Sequence, residues 1–322
     1  MRQFAKPTIV VSKCLEFDAC RYNGEMIPDV TIRNLQPFVT FIPVCPEVEI
    51  GLGTPRETIR IVEENGENRL VQPSTREDVT EKMEQFSNDF LQTISDADGF
   101  ILKNRSPSCG TRDVKIYSGF EKAPAKGKGS GLFGGAVVKN FSHLPIEEGG
   151  RLSNFIIREH FFTRLFTIAY YKMIKHNKNM KDLVSFQSDN KYLFMAYNQV
   201  KQKELGRIIA NHKNEKIEVV FENYEKTLYE LFMRTPRYTS NVNVCEHIFG
   251  YFKTKLKKQE KDHFIELLQK YSEKKIPLSS LLTILKSWAI RFDEKYLLRQ
   301  TYFEPYPEAL VEISDSGKGR DY

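Results

Sequence analysis

FVTFIPVCPE, residues 38–47, decides the fold. Its first seven residues are β-branched, aromatic or otherwise apolar, which predicts a strand, and that strand runs directly into Cys45 and Pro46. The same arrangement occurs twice more. TIVVS (8–12) leads to Cys14, and GFILKN (99–104) is followed closely by Cys109. Between the second and third runs, residues 75–95 begin with capping residues and space Val79, Met83, Phe86, Phe90 and Leu91 at helical intervals. Strand, helix, strand predicts an α/β N-terminal domain with a largely parallel sheet.

Loops beyond the carboxyl ends of parallel strands converge on a crevice where ligands bind. Cysteines 14, 45 and 109 are 31 and 64 residues apart, too far for one metal loop but compatible with a site gathered by the sheet. Cysteine is also a small core residue, and that reading stands beside the site reading. Three thiolates can hold a cubane iron-sulfur cluster with one iron left open, or a zinc ion with water, so the cysteines alone do not choose the metal. The five cysteines form an odd set without CxxC spacing, which argues against disulfides and zinc fingers.

Neighbouring residues add chemistry. If the chain is extended after Cys45, Glu47 faces the same side and can act as general acid or base; otherwise it is a solvated loop glutamate. Gly51 and Gly53 permit a close turn. In RSPSCG (105–110) the hydroxyls of Ser106 and Ser108 can orient water or substrate, or merely cap backbone, while Lys103, Arg105 and Arg112 can hold an anion or a base oxygen. The glycine- and lysine-rich KAPAKGKGSGLFGGA (122–136) fits no phosphate-loop pattern and reads as a mobile surface loop.

After residue 150 the composition changes to long amphipathic segments, predicting an all-α C-terminal domain over 151–322 with a frayed tail from 313. Residues 154–176 set Phe155, Phe162, Phe166, Ala169 and Met173 on one face, and residues 277–303 do so with Leu281, Leu285, Trp288, Phe292 and Tyr296. Residues 1–150 carry a balance of −3 and the remainder +9. A polyanion would therefore bind the second part, unless its lysines are only solvated helix faces. No tract reaches the roughly 18 apolar residues of a membrane span, and no signal peptide is visible, which predicts a cytoplasmic protein without a membrane partner.

SKCL (12–15), CRYNG (20–24), PVCPE with GLGTPR (43–56) and LKNRSPSCG (102–110) together resemble the TudS-like thiouracil desulfidase family over most of residues 1–140. NKYLFMAYNQVKQKELGRII (190–209), NVNVCEHIFGYFK (241–253) and YLLRQTYFEPYPEAL (296–310) resemble the YbgA-like helical domain found fused to it in RudS-type tRNA 4-thiouridine desulfidases. The resemblance implies a 4Fe-4S cluster bound by Cys14, Cys45 and Cys109 with one open iron, Glu47 as acid/base, and Ser106 as a helper in positioning. It implies exchange of a thiocarbonyl sulfur for water oxygen without net redox change, on tRNA containing 4-thiouridine. Cys20 stands where a fourth ligand would close the open iron, and a packing role is expected for it; Cys245 is expected in the helical core.

Two basic clusters fit the RNA reading: Lys172, Lys175, His176, Lys178 and Lys181, then Lys253, Lys255, Lys257, Lys258 and Lys261. Arg234, Arg237 and Tyr238 add groups that pair with phosphate or stack on a base. The rival readings are an enzyme of free thiouracil or thiouridine nucleotides, and a non-catalytic iron-sulfur or zinc RNA-binding protein in which Glu47 is dispensable.

Overall fold

A computed structural model describes residues 2–120, 124–210 and 214–312. The expected tail at 313–322, and Lys122 and Ala123 of the glycine-rich stretch, lie outside the described residues. The chain forms two compact units: Met1–Ala169 with the chain from Tyr306 onward, and Tyr170–Pro305. The composition change at 150/151 precedes this division, which falls inside a long helix.

The first unit is α/β. Strand β1 (Thr8–Ser12) is followed by α1 (Val30–Leu35), β2 (Thr40–Val44) and the single turn α2 (Pro46–Glu49). Then come β3 (Arg60–Glu64), β4 (Glu67–Gln72), β5 (Glu77–Asp78), α3 (Thr80–Thr93) and β6 (Gly99–Leu102). β7 (Val114–Tyr117), β8 (Ala125–Gly129), α4 (Leu132–Phe141), β9 (Ile146–Glu148) and α5 (Phe155–Asn177) follow. One sheet, ordered β2-β1-β6-β9, is parallel throughout, with Ile9 opposite Phe41 on one side and Gly99 on the other. Every residue of β6 is buried and β1 is buried from its second residue on, as both faces of a parallel sheet require. On one face Ile9, Val11 and Ile101 pack with Ile32, Leu35, Phe162, Leu165 and Phe166, joined by Tyr306 and Leu310. Elsewhere in the unit, Phe100 meets Phe141 of α4 at 5.0 Å between ring centroids, and α3 packs against α4.

The second sheet, β5-β4-β3-β7-β8, is antiparallel except where β3 meets β7. It was not expected, and it corrects the loop reading of the glycine-rich stretch. Ala125–Gly129 pairs with β7, and the glycines after it open a helix. The helix predicted over 75–95 starts only at Thr80 because Glu77–Asp78 pairs with β4 first.

The second unit is helical, as expected. It contains α6 (Met180–Asp189), α7 (Lys191–Tyr197), α8 (Gln199–Ala210), α9 (Ile217–Leu231), α10 (Tyr238–Gly250), α11 (Lys258–Ser272), α12 (Leu278–Arg291) and α13 (Lys295–Leu298). Tyr171, Phe186, Phe221, Tyr224, Phe249 and Trp288 belong to its core. The expected face of α5 fails at Met173, which is 49% exposed, while Ile174 beside it is buried. Leu281, Leu285 and Trp288 are buried as read, but α12 ends at Arg291, leaving Phe292 and Tyr296 packed at the edge of the core.

Candidate active site

Strands β1 and β6 are neighbours whose chain connections depart in opposite directions, to β2 and to β9, so a crevice opens beyond their carboxyl ends. Cys14 follows β1, Cys45 follows β2 and Cys109 follows β6. Ser12, the last residue of β1, accepts a 2.9 Å hydrogen bond from the backbone N–H of Lys103, tying two of these strand ends together. Cys45 is the N-cap of α2, and its thiol lies 3.8 Å from the carbonyl oxygen of Cys20.

The Cys109 turn is built by its own serines. Ser106 Oγ accepts from the N–H of Cys109 at 3.1 Å and of Ser108 at 3.3 Å, and the Gly110 N–H donates to Ser106 O at 2.9 Å. α4 then docks its first turn on the same loop. The N–H groups of Gly131, Leu132 and Gly134 donate to the carbonyls of Gly110, Pro107 and Ser108 at 2.7, 3.1 and 2.9 Å. This occupies N–H groups that a helix start leaves without an intrahelical partner. A β-carbon on Gly131 would lie 2.5 Å from Ser108 O, so glycine is what allows the approach. Beyond Cys109, the Glu148 carboxylate at the end of β9 accepts from Thr111 N and Oγ1 at 2.9 and 3.1 Å.

Glu47 reaches the site differently from the expected extended chain. It is the second residue of α2, and its carboxylate is held from both sides. Arg56, whose side chain is only 4% exposed, donates Nε and Nη2 to Glu47 Oε2 at 2.8 and 2.5 Å. Its Nη1 donates to the carbonyls of Cys20 and Gly53 at 2.9 and 2.8 Å. On the other side Ser108 Oγ donates to Glu47 Oε1 at 2.6 Å, with Ser106 Oγ at 3.4 Å. Gly51 and Gly53 both take positive φ, 90° and 71°, and let the chain turn back so that Arg56 reaches the carboxylate.

Sequence reasoning gave Arg56 no role although GLGTPR was noted as a motif, and it named Ser106 where the closer hydroxyl is that of Ser108. Lys103 is half-buried near Cys14, with Nζ donating to Asn104 O at 2.9 Å; burial lowers its pKa. Arg105 is exposed, and Arg112 reaches Glu147 at 3.8 Å. Cys20 is buried against Cys45, and its carbonyl serves as the acceptor for Arg56.

Burial pushes the Cys14 thiol up to about 11 and the Cys20 thiol up to about 12, with the charge of Cys45 adding to both. Burial raises Cys109 further still. Without a cation these groups would stay neutral thiols; a metal group reverses that cost by taking thiolates as ligands. Among the described residues no three His, Cys, Asp or Glu side chains are grouped to hold one metal ion. Three separate strand-end cysteines suit a cluster, which takes one thiolate per iron, better than a single tetrahedral ion. The donor set therefore fits.

In the second unit the expected basic clusters are partly neutralised. Lys175 pairs with Glu225 at 2.7 Å, Lys178 with Glu218 at 3.3 Å, and Lys255 with Glu294. The RTPRY segment is more open: Arg234 and Arg237 are exposed, and Tyr238 carries Lys274 5.3 Å over its ring. Cys245 is buried with its sulfur 3.9 Å from Tyr302 Oη. Among the described residues, no helix is long and apolar enough to cross a membrane.

A family described as 2-thiouracil desulfurase matches residues 9–149, and one described as a protein of unknown function, DUF1722, matches residues 191–307. The chain is similar to the uncharacterized protein YbbK of Bacillus subtilis (strain 168), 35% identical over 147 residues that cover 44% of this chain and 95% of the relative. It is also similar to the uncharacterized protein YbgA of Escherichia coli (strain K12), 23% identical over 156 residues covering 48% of this chain and 92% of the relative. Among solved structures, a 4Fe-4S-dependent thiouracil desulfidase, TudS, is 25% identical and covers 46% of this chain and 93% of its own, with a TM-score of 0.37.

Proposed function

This chain belongs to the 2-thiouracil desulfurase family through residues 9–149, continues into a YbgA-like DUF1722 domain, and on that premise we propose that it converts 4-thiouridine in tRNA to uridine and sulfide. One observation carries the chemistry: a carboxylate, Glu47, gripped by Arg56 and turned toward Ser108 and Ser106 beside three strand-end cysteines. In this reading Cys14, Cys45 and Cys109 hold a 4Fe-4S cluster. When bound, its iron without a cysteine supplies a Lewis acid with affinity for sulfur.

The chain's own residues handle the water. Replacing C=S by C=O consumes one water and releases sulfide with its two protons, so no electron donor is needed. Glu47 Oε1 takes a proton from the attacking water and returns it to the departing sulfide. Ser106, the more open of the two hydroxyls, helps hold the reacting group.

The excess of positive charge after residue 150 supports an RNA substrate, as does the exposed Arg234–Arg237–Tyr238 segment with Lys274. Turning the thiobase out of folded RNA costs on the order of a few kcal/mol, which phosphate contacts must offset.

The test is turnover without oxygen. Cluster-reconstituted protein is mixed with tRNA carrying 4-thiouridine, and loss of thiobase absorbance is followed with sulfide release, with free thiouracil and thiouridine nucleotides in parallel. Turnover on tRNA that disappears in Cys14→Ser supports the proposal. Turnover on free thiobases alone keeps the chemistry and rejects the RNA. An intact cluster with no turnover on any substrate rejects desulfuration.

A further inference from the structure

Glu47 has four carboxylate lone pairs, and the protein accounts for three of them. Both on Oε2 are taken by Arg56, through Nε at 2.8 Å and Nη2 at 2.5 Å. One on Oε1 accepts the Ser108 hydroxyl at 2.6 Å, the separation of a charge-assisted O–H···O bond.

The fourth points toward Ser106, whose oxygen is 3.4 Å away, too far for a good hydroxyl bond. Ser106 is committed elsewhere. Its oxygen accepts two backbone N–H groups, from Cys109 at 3.1 Å and Ser108 at 3.3 Å, so its own proton is the group left to donate. The nearer acceptor is Ser108 Oγ at 2.9 Å. Ser108 must then be the acceptor in that pair, because its proton is already given to Glu47. The three groups form a chain of fixed direction, Ser106 to Ser108 to Glu47.

Arg56 and Ser108 are well placed to enforce this. Arg56 spends its remaining donors on the Cys20 and Gly53 carbonyls, and its backbone N–H donates to Tyr22 O at 2.8 Å, so the guanidinium cannot swing away without unmaking several bonds. Ser108 is fully buried, whereas Ser106 is partly open.

We propose that Arg56 and Ser108 are positioning residues that leave Glu47 one usable acceptor site, on Oε1 beside Ser106, and that the attacking water is held there. The inference rests on the desulfuration reading. In the step, the water O–H bond breaks as its oxygen bonds to the thiocarbonyl carbon, and the proton moves to Oε1. The C–S bond then breaks and the sulfide leaves with that proton, so the carboxylate is restored and no oxidant or reductant enters. Neither positioning residue exchanges a proton with substrate.

The experiment compares wild type, Arg56→Lys, Ser108→Ala and the double variant as full-length, anaerobically reconstituted protein. Iron and sulfide contents serve as the check that each has assembled. Either single change should lower kcat by about 100-fold, the size of effect expected from an ångström-scale misplacement, while KM stays within about threefold. The double variant should lose little more than either single one, because the two residues act on the same carboxylate. Unchanged kcat, an effect confined to KM, or losses that multiply would overturn the proposal.

A high-resolution crystal structure gives a readout independent of activity. A water within hydrogen-bond reach of both Glu47 Oε1 and Ser106 Oγ is expected in wild type, and a second acceptor position on Oε1 should open in Ser108→Ala. Water on Oε2, or none at Oε1, rejects the assignment. If the wild type turns over no thiobase, the desulfuration reading fails by itself, and the water positions still decide whether Arg56 and Ser108 orient Glu47.

Discussion

Replacing Gly134 by alanine should destabilise the first unit, although alanine is the better helix former. Gly134 lies in the first turn of α4, and an added β-carbon would approach the carbonyl oxygens of Cys109 and Gly110 to under 3.0 Å. Those atoms are backbone, and they belong to the turn that presents Cys109. Overpacking of this kind costs about 1–3 kcal/mol. If α4 recoils instead, the bonds from Leu132 and Gly134 to Pro107 and Ser108 lengthen, at about 1 kcal/mol each. Helix propensity returns about 1 kcal/mol. The net loss is then about 1–2 kcal/mol, read as a fall of roughly 2–8 °C in the transition of a unit this size. The control is Gly206→Ala in α8, where a β-carbon meets open space; there the same change should stabilise by about 0.5–1 kcal/mol. Calorimetry of both variants, with iron content after reconstitution, is the assay. A Gly134→Ala protein at least as stable as wild type and fully loaded with iron would refute the reasoning that the glycines serve the cysteine turn.

Cys14→Ser, Cys45→Ser and Cys109→Ser should each cut iron bound after reconstitution to a small fraction of wild type, whereas Cys20→Ser should retain most of it; iron analysis and visible absorbance decide this. Glu47→Gln should keep its cluster and lose about 10²–10⁴-fold in turnover, the usual range for a lost general acid or base; full activity would remove Glu47 from the mechanism. A third prediction concerns two neighbours on α5. Burial holds the Glu159 carboxyl up at about 7, so between pH 4.5 and 7 the folded chain keeps a proton that the unfolded chain releases, and stability falls as pH rises through that window. Burial holds His160 down at about 3, so the unfolded chain takes up a proton below pH 6.5 and stability falls as pH drops toward 3. These slopes oppose each other over most of the range. Glu159→Gln should therefore leave stability rising with pH up to 6.5, and His160→Gln should leave it falling from 4.5 to 7, measured by urea denaturation across pH. Curves parallel to wild type would contradict both assignments.

The parallel sheet was legible because TIVVS, FVTFIPV and GFILKN are buried on both faces, and burial of that kind writes itself into side chains. The second sheet was harder to see. RIVEE and ENRLVQ are half charged, and the one sharp signal, Asn65-Gly66 with both residues at positive φ, was passed over. Ala125–Gly129 carries almost no side-chain signal at all; it is a strand because β7 offers it backbone partners. At the site, Glu47 was found for a reason that does not hold, since the chain after Cys45 is a helical turn rather than extended. Arg56 could not be assigned from spacing because its role depends on a return of the chain through Gly51 and Gly53 that no local pattern encodes.

Tyr306 and Leu310 have a consequence for how the protein is made. They are buried with Phe162, Ile9 and Val11 in the core of the first unit, and the Arg158 guanidinium donates to the carbonyl of Glu312. A ribosome therefore releases the sheet-forming residues early but delivers their last covering segment only after the whole helical unit has been synthesised. Until then the nascent first unit has an unfinished apolar face. Loading of its cysteines before that moment would take place on an incomplete scaffold, and loading afterwards would make the far end of the chain a checkpoint for the near end.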